Sequence, residues 1–243
     1  MSKLIINADD FGYCEGVNYG IISAHKKGVV TSTTIMANMP GFDHAVNLLK
    51  ETPTLGCGVH MTLSCNKPLI KESKTLTDEN GFFFRKIDEE LAKKFDLDEI
   101  YNEFCAQIEK VKDAGIEITH LDSHHHVHRI PCFKEVIKKI VEKYKLPLRG
   151  GFEYEFEYEK VIPCIGNFYN KNVSGDYFKD NLDVIKSHDV VDLMSHPAFL
   201  DEYILKSTSY SIKRTEEYKI LSDHNLRKFL ELNDIELINY KNL

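Results

Sequence analysis

Histidines and carboxylates in this sequence cluster in a few short stretches that could bind a metal ion. The densest, His120–His128 (HLDSHHHVH), holds five of the 11 histidines and one aspartate. Adjacent Asp9 and Asp10 follow the apolar run KLIIN, and His60 lies in LGCGVHMTL. A catalytic site of the zinc type uses three histidine or carboxylate ligands and keeps one position open for water. Asp10, His60 and one histidine of the cluster would supply that set.

The third ligand is best supplied by His124. If residues 118–124 stay extended, His120, Asp122 and His124 share one face, and His124 lies furthest along the strand. A helical conformation would align His124 with other cluster histidines, so it remains a candidate in both cases. The remaining cluster histidines could line the cleft or hydrogen-bond to the ligands. The sequence does not assign individual roles to His125, His126 and His128.

Two further residues could move protons in a metal-assisted hydrolysis. Asp9, beside the predicted ligand Asp10, could accept a proton from water, whose pKa a divalent ion lowers from about 16 towards 7. His196 follows the strand-like run VVDLMS and precedes a proline. It could protonate the leaving atom. Metal, base and acid together indicate hydrolysis of an amide or an ester.

Each of these residues also has an ordinary structural interpretation. A lone buried histidine such as His60 is often a hydrogen-bonded core residue, and Asp9 with Asp10 could cap a helix or close a turn. The HHHVH run could be an exposed tract, and His196 could bond to a backbone carbonyl. The metal interpretation is favoured because the ligands come from three separate predicted strand ends.

Strand-like and helix-like segments alternate along the chain and would position these residues. Strands are predicted at 3–7, 29–37, 55–63, 117–122, 146–150, 190–197 and 235–240, and helices at 16–28, 42–51, 96–115, 131–144 and 214–232. This alternation predicts an α/β fold with a parallel sheet, here a (β/α) barrel that is seven-stranded or incomplete. A doubly wound open sheet is the alternative. In both, the carboxyl ends of the strands converge on one face.

One catalytic domain, residues 1–243, is expected because no linker or repeat interrupts the chain. Residues 64–96 do not fit the alternation of strands and helices. Their sequence is polar and then aromatic, which predicts a long insertion loop. Loops of this length commonly form lids or binding surfaces.

The composition limits the class of protein. The net charge of −7, with 28% charged and 42% hydrophobic residues, gives no basic surface for nucleic acid or anionic membranes. No apolar run approaches the roughly 18 to 20 residues that span a bilayer, and the N-terminal segment becomes charged too early for a secretory signal. The six cysteines are scattered without a CxxC pair, as reduced thiols usually are. We therefore expect a cytoplasmic protein that binds neither nucleic acid nor membrane.

Six motifs, taken together, resemble the YdjC-like carbohydrate deacetylases of the chitooligosaccharide deacetylase type. In chain order they are NADDFG, TSTT, GVHMTL, HLDSHHHVH, the Leu-Arg of LPLRG and SHPAF, and they extend over nearly the whole chain. The resemblance implies a (β/α) barrel related to polysaccharide deacetylases. It also implies the removal of acetyl groups from N-acetylated sugars such as chitooligosaccharides, with release of acetate.

The same resemblance assigns roles to the motif residues. The family's metal ligands correspond to Asp10, His60 and His124, which would hold one divalent ion. Two histidines and a carboxylate suit Zn²⁺ by ligand chemistry, while Mg²⁺ is also assigned within the family. Asp9 corresponds to the general base of the related polysaccharide deacetylases. His196 corresponds to the histidine of the family's HPAF segment, for which the resemblance implies an acid role. Arg149 corresponds to an arginine that lines the family's cleft and would orient Asp9 or the substrate carbonyl.

Features outside these motifs leave the substrate and the assembly open. The stretch 82–85 (FFFR) could stack on a sugar ring and contact an anion, such as the phosphate of 6-phosphorylated diacetylchitobiose, or pack in the core or against another subunit. The family implies a homo-oligomer, with a dimer favoured. The rival functions are a two-metal hydrolase of phosphoesters and a non-catalytic protein that binds sugar or metal. A metal-free glycosidase is weaker, because it needs two separated carboxylates.

Overall fold

The computed structural model describes residues 1–243, and its centre is one parallel β-sheet. The strands are β1 (Ser2–Phe11), β2 (Ser32–Ile35), β3 (Gly56–Met61), β4 (Ile118–Ser123), β5 (Leu148–Arg149), β6 (Val161–Ile162), β7 (Cys164–Ile165), β8 (Val190–Ser195) and β9 (Ile235–Leu237). Their order is β6-β5-β4-β3-β2-β1-β8-β7, with β9 pairing with β1. Every pair is parallel.

The sheet nearly closes on itself at Pro163, which separates its two terminal strands, β6 and β7. On one side of this proline, the Gly150 N–H donates to the Ile162 carbonyl at 2.7 Å. On the other side, the Asp192 N–H donates to the Pro163 carbonyl at 2.8 Å. The predicted α/β barrel is therefore confirmed, and the open-sheet alternative is wrong. The barrel has seven strands if 161–165 counts as one interrupted strand and β9, which pairs only with β1, is left out.

Helices surround the sheet. They are α1 (Glu15–Lys27), α2 (Phe42–Lys50), α3 (Glu89–Ala92), α4 (Leu97–Asp113), α5 (Lys134–Tyr144), α6 (Tyr177–Asp180), α7 (Leu182–Lys186), α8 (Glu202–Ser207), α9 (Ile212–Leu221) and α10 (His224–Leu232). The single helix predicted over 214–232 is wrong. A new helix starts after Asp223, whose side chain accepts a hydrogen bond from the Asn225 N–H at 2.9 Å and so satisfies a free helix donor. None of the helices combines the length and apolar character needed to cross a bilayer.

Side chains of β1 alternate between two buried clusters, one on each face of the strand. Leu4 and Ile6 belong to the main apolar core of 54 buried residues, which packs the helices against the sheet. Ile5 points the other way and packs with Ile238 and Tyr240 in a small separate cluster. Because side chains alternate, the polar residues further along β1 can continue this second face towards the carboxyl end of the barrel.

Two carboxylates of α4 fix the loop 64–96. Glu103 is fully buried and accepts hydrogen bonds from the backbone N–H groups of Leu69 and Ile70 at 2.9 and 3.0 Å. Glu99 accepts further bonds from backbone N–H groups of the same loop. The loop predicted from the sequence therefore has a defined position, set by a helix that follows it in the chain.

The substitution Glu103→Gln should loosen this loop. An amide NH₂ would replace one acceptor oxygen and leave a buried N–H unpaired, which destabilises a protein by about 1 to 3 kcal/mol. We expect a lower midpoint in urea unfolding and faster proteolytic cleavage within 64–96. Glu90→Gln, at an exposed site in the same loop, is the matched control. Equal proteolysis of both variants would contradict the anchoring role.

Candidate active site

Asp9 and Asp10 can both face the site because β1 is irregular at its end. In a regular strand, adjacent side chains point to opposite faces of the sheet. Asp10 instead has a φ of 69°, in the left-handed region that residues other than glycine rarely adopt. The register with β2 also shifts between Ala8 and Phe11. This local break in the strand explains how two neighbouring carboxylates reach the same end of the barrel.

Asp10, His60 and His124 converge at the carboxyl end of the barrel. Oδ1 of Asp10 lies 3.0 Å from Nδ1 of His124 and 3.3 Å from Nε2 of His60, and the three ligand atoms lie within 4.8 Å of one another. Metal bonds of about 2.0 to 2.2 Å at tetrahedral or octahedral angles separate two ligand atoms by about 3 to 3.6 Å. The structure thus brings together the three residues predicted as ligands, in an arrangement that fits one divalent ion.

Asp122 fixes the orientation of His60. Nδ1 of His60 donates to Oδ1 of Asp122 at 2.7 Å, so Nε2 is the nitrogen directed at Asp10 and would offer its lone pair to a bound ion. A carboxylate behind a ligating histidine is a recurrent arrangement in metal sites. Asp122 was predicted to share a strand face with His120 and His124, but no role was predicted for it.

Arg149 lies beneath the site, fully buried. Its Nη1 and Nη2 donate to the two oxygens of Asp9 at 2.7 and 2.8 Å. Nη1 also lies 2.7 Å from Asp122, and Nε donates to Asp192 at 2.7 Å. Burial raises the pKa of Asp9, but the guanidinium outweighs this effect and holds that pKa well below its usual value. These contacts support the orientation of Asp9, not contact with a substrate.

A second set of candidate ligands, Asp9, His60 and Asp122, also lies within 4.8 Å. Arg149 already forms ion pairs with both carboxylates of this set. His60 also directs its protonated Nδ1 at Asp122, so that nitrogen has no free lone pair. The second set is therefore a poorer cation site than the first.

The charge balance of the buried groups favours a divalent cation. An unpaired charge in a protein interior is strongly unfavourable. Four carboxylates and two guanidinium groups form ion pairs around the site, which gives two more negative than positive charges. Burial lowers the pKa of His60, but Asp122 and Asp10 outweigh burial and raise that pKa to about 10, so a proton on His60 offsets one of these charges until a cation takes its place. The carboxylates are those of Asp9, Asp10, Asp122 and Asp192, and the guanidinium groups are those of Arg149 and Arg214.

Arg214, on α9, is a further residue of the site that was not predicted from the sequence. Its Nη2 donates to Oδ2 of Asp10 at 2.7 Å, and its Nε donates to the carbonyl of Tyr210 at 2.8 Å. The residue is only 3% exposed. It lies in the polar run SIKRTEEYK, which is typical of a surface helix, so no local signal predicts its burial.

His196 follows β8 and interacts with a buried glutamate. Glu217 accepts hydrogen bonds from the backbone N–H of His196 and from the Tyr210 hydroxyl. Its Oε1 lies 3.9 Å from Nδ1 of His196. Burial lowers the pKa of His196 to about 4, with a further contribution from Arg214, and burial raises the pKa of Glu217 to about 7. At neutral pH, Glu217 therefore holds a proton more readily than His196.

The other histidines of the cluster lie at two depths. His125 and His126 have φ angles of 51° and 54°, and this turn exposes both to the cavity described below. His120 is fully buried. His128 is also buried, and its Nε2 lies 3.1 Å from the carbonyl of Arg149. The cluster therefore contributes one predicted ligand, two cavity residues and two core residues.

A cavity of about 860 Å³ lies over these groups. Asp9 and His196 line it together with the three predicted ligands. Residues 82–85 of the loop form another part of its wall. Tyr169 and Tyr210, with ring centroids 4.1 Å apart, add an aromatic surface. The loop and the site thus enclose one space.

Comparison with known proteins identifies the family. Residues 3–232 match the model of the YdjC-like protein family. The carbohydrate deacetylase of Brevibacillus brevis is 40% identical over 248 residues, with 99% of each chain covered. The structure of a proposed cellobiose-phosphate cleavage protein from Enterococcus faecalis V583 is 35% identical, with a TM-score of 0.93 over 99% of this chain and 98% of that one.

A more distant structure is similar in fold alone. The catalytic domain of peptidoglycan N-acetylglucosamine deacetylase from Eubacterium rectale aligns with a TM-score of 0.50 at 12% identity, over 98% of this chain and 88% of that one. The family match and the full-length relatives agree with the motifs, the barrel and the site described above. This chain belongs to the YdjC-like family.

Proposed function

We propose that this protein is a metal-dependent hydrolase that removes acetyl groups from N-acetylated sugars. The observation that carries the proposal is the convergence of Asp10, His60 and His124 beside Asp9 at a cavity of about 860 Å³. That volume lies in the range of about 300 to 1,000 Å³ typical of small-molecule sites. The carbohydrate deacetylase from Brevibacillus brevis, 40% identical, supports an acetylated sugar as the substrate.

Zinc is the metal that the ligand set supports best. Two imidazole nitrogens and one carboxylate oxygen are a common ligand set of catalytic zinc sites. When bound, such an ion polarises a carbonyl group and makes water acidic enough to attack near neutral pH. Mg²⁺ prefers oxygen ligands and is the second candidate.

Asp9 would act as the general base. Its carboxylate remains ionised at neutral pH because of Arg149. Oδ2 accepts one hydrogen bond, from Nη1 of Arg149, and so keeps a lone pair for a proton. Asp9 would take that proton from a water molecule as the water oxygen forms a bond to the acetyl carbonyl carbon. Arg149 would hold the carboxylate in place during this transfer.

His196, on another part of the cavity wall, would act as the general acid. It would donate a proton to the sugar nitrogen while the bond between that nitrogen and the carbonyl carbon breaks. The products are acetate and a free amino sugar. Since the pKa of His196 is lowered to about 4 and that of Glu217 is raised to about 7, Glu217 would hold the proton that His196 passes on.

The substitution Glu217→Gln should therefore change the pH dependence. In the wild-type enzyme, kcat should fall as the pH rises above about 7, because Glu217 then loses its proton. In the variant, this loss should begin at lower pH, closer to the value of about 4 for His196. Glu216→Gln, on the same helix but partly exposed, is the control. Identical pH–kcat profiles for Glu217→Gln and the wild type would contradict this role.

The substrate that we propose is a chitooligosaccharide, such as N,N′-diacetylchitobiose. Phe82 is 42% exposed and lines the cavity, as do Tyr169 and Tyr210. Aromatic faces of this kind can pack on a sugar ring. Arg85, on the same wall and exposed, could contact a 6-phosphate on the sugar.

The test is the identification of products from diacetylchitobiose and its 6-phosphate. Chelator-treated protein would be reloaded with Zn²⁺ or Mg²⁺ before acetate and free amine are measured. Metal-dependent release of both products in equal amounts is the expected result. Turnover of a phosphate monoester without acetate release would favour the rival phosphoesterase, which the ion pairs of Arg149 with the second ligand set already disfavour.

The homodimer implied by the family is part of this proposal. Exposed apolar side chains near α8 offer a surface for it, among them Phe199, Leu200 and Leu205. Light scattering of the purified protein would test the assembly, and a monomer at all concentrations would contradict it.

A further inference from the structure

The two oxygens of Asp10 have different partners. Oδ1 faces the nitrogens of His60 and His124 at 3.3 and 3.0 Å. Oδ2 accepts a hydrogen bond from Nη2 of Arg214 at 2.7 Å. Asp10 is 1% exposed and Arg214 is 3% exposed, so this ion pair is shielded from solvent. Hydrogen bonds between ionised partners in such a setting are short and strong.

Arg214 is itself held firmly. Its Nε donates to the carbonyl of Tyr210 at 2.8 Å, and its guanidinium carbon lies 5.6 Å from the centre of the Tyr210 ring. Asp10 is also constrained, because its left-handed backbone sets the direction of its Cα–Cβ bond and both of its oxygens have buried partners. The pairing of Oδ2 with Arg214 is therefore a property of the folded framework.

Metal affinity alone does not explain an arginine at this position. A guanidinium group near a bound cation repels it and weakens its binding. A carboxylate can bind a metal through one oxygen or through both. If Oδ2 were free, it could occupy the coordination position that a catalytic site keeps open.

We propose that Arg214 is a positioning residue that limits Asp10 to one metal-ligating oxygen, Oδ1, and so keeps a coordination position open for water or substrate. This inference rests on the proposed metal site. It adds a role for α9, a helix that supplies no predicted ligand.

The test uses Co²⁺ as a spectroscopic probe in Arg214→Met and Arg214→Lys. The methionine removes both the charge and the donors, while the lysine keeps the charge and can still donate to Oδ2. We expect Arg214→Met to bind one Co²⁺ per chain, with a weaker visible absorption because its coordination number rises, and to lose kcat by about 10- to 100-fold. Arg214→Lys should restore a spectrum close to that of the wild type.

Two controls make the result decisive. Thermal unfolding shows whether each variant is folded, and Arg214→Leu, which also lacks a charge and a donor, replaces Arg214→Met if the latter does not fold. A folded Arg214→Met with the wild-type spectrum would overturn the role of Arg214 alone. Loss of Co²⁺ from that folded variant would also overturn it, because Arg214 would then support binding itself. A wild-type protein that binds no Co²⁺ would overturn the metal site and, with it, this inference.

Discussion

His124→Ala should abolish metal binding and activity together. The substitution removes one of the three atoms that surround the predicted ion position, and Oδ1 of Asp10 would lose its neighbour at 3.0 Å. A bound ion contributes several kcal/mol to transition-state stabilisation, so kcat should fall by about 1,000-fold or more. Metal content by atomic emission and acetate release, measured on the same preparation, check this prediction.

His125→Ala is the matched control for this variant. The His125 ring packs against His124, with centroids 3.9 Å apart, and its Nδ1 lies 3.0 Å from Oγ of Ser64, but it belongs to neither candidate ligand set. The His125→Ala variant should therefore still bind one ion per chain. If His124→Ala kept its metal while His125→Ala lost it, the assignment of the third ligand would be wrong.

Asp9→Asn should leave metal binding intact and lower kcat. The amide cannot accept a proton from water at neutral pH, and loss of a general base typically lowers kcat by about 10²- to 10⁴-fold. The three predicted ligands do not include Asp9, so the metal content should stay at one ion per chain. Single-turnover measurements would place the loss in the chemical step and not in substrate binding.

Asp9 also pairs with Arg149, and a control must separate the two effects. Asp192→Asn disturbs the same guanidinium, through its Nε, at a residue that does not line the cavity. If the loss of kcat in Asp9→Asn came only from a displaced Arg149, Asp192→Asn should reproduce it. We expect a much smaller effect in Asp192→Asn. Full activity of Asp9→Asn would refute Asp9 as the base.

The predicted ligands could be found from sequence because parallel strands impose a simple rule. Asp10, His60 and His124 each follow or end a separate β-rich run, and the carboxyl ends of parallel strands converge. The rule needs only the positions of the strand ends, and these can be predicted from where each apolar run of the sequence stops. It also places Asp9 and His196 at the same cavity. The irregular end of β1 at Asp10 explains how Asp9 and Asp10 both reach the site. Knowledge of this irregularity was not needed to predict that the two residues lie there.

The supporting residues could not be found in this way because they depend on tertiary packing. Arg214 and Glu217 lie in a polar run typical of a surface helix, yet both are buried against the site. The strand at 161–165 contains Pro163, which normally argues against an interior strand, so this strand was not predicted although the barrel was. Asp122 could have been assigned a role, since it shares a strand face with the cluster histidines.

The most direct test of the central claim is the position of the metal in crystals of zinc-loaded protein, located by anomalous scattering. The account predicts one strong peak per chain, about 2.0 to 2.2 Å from Oδ1 of Asp10, Nε2 of His60 and Nδ1 of His124. A peak among Asp9, His60 and Asp122 would contradict this prediction. So would an active protein with no metal at Asp10, His60 and His124.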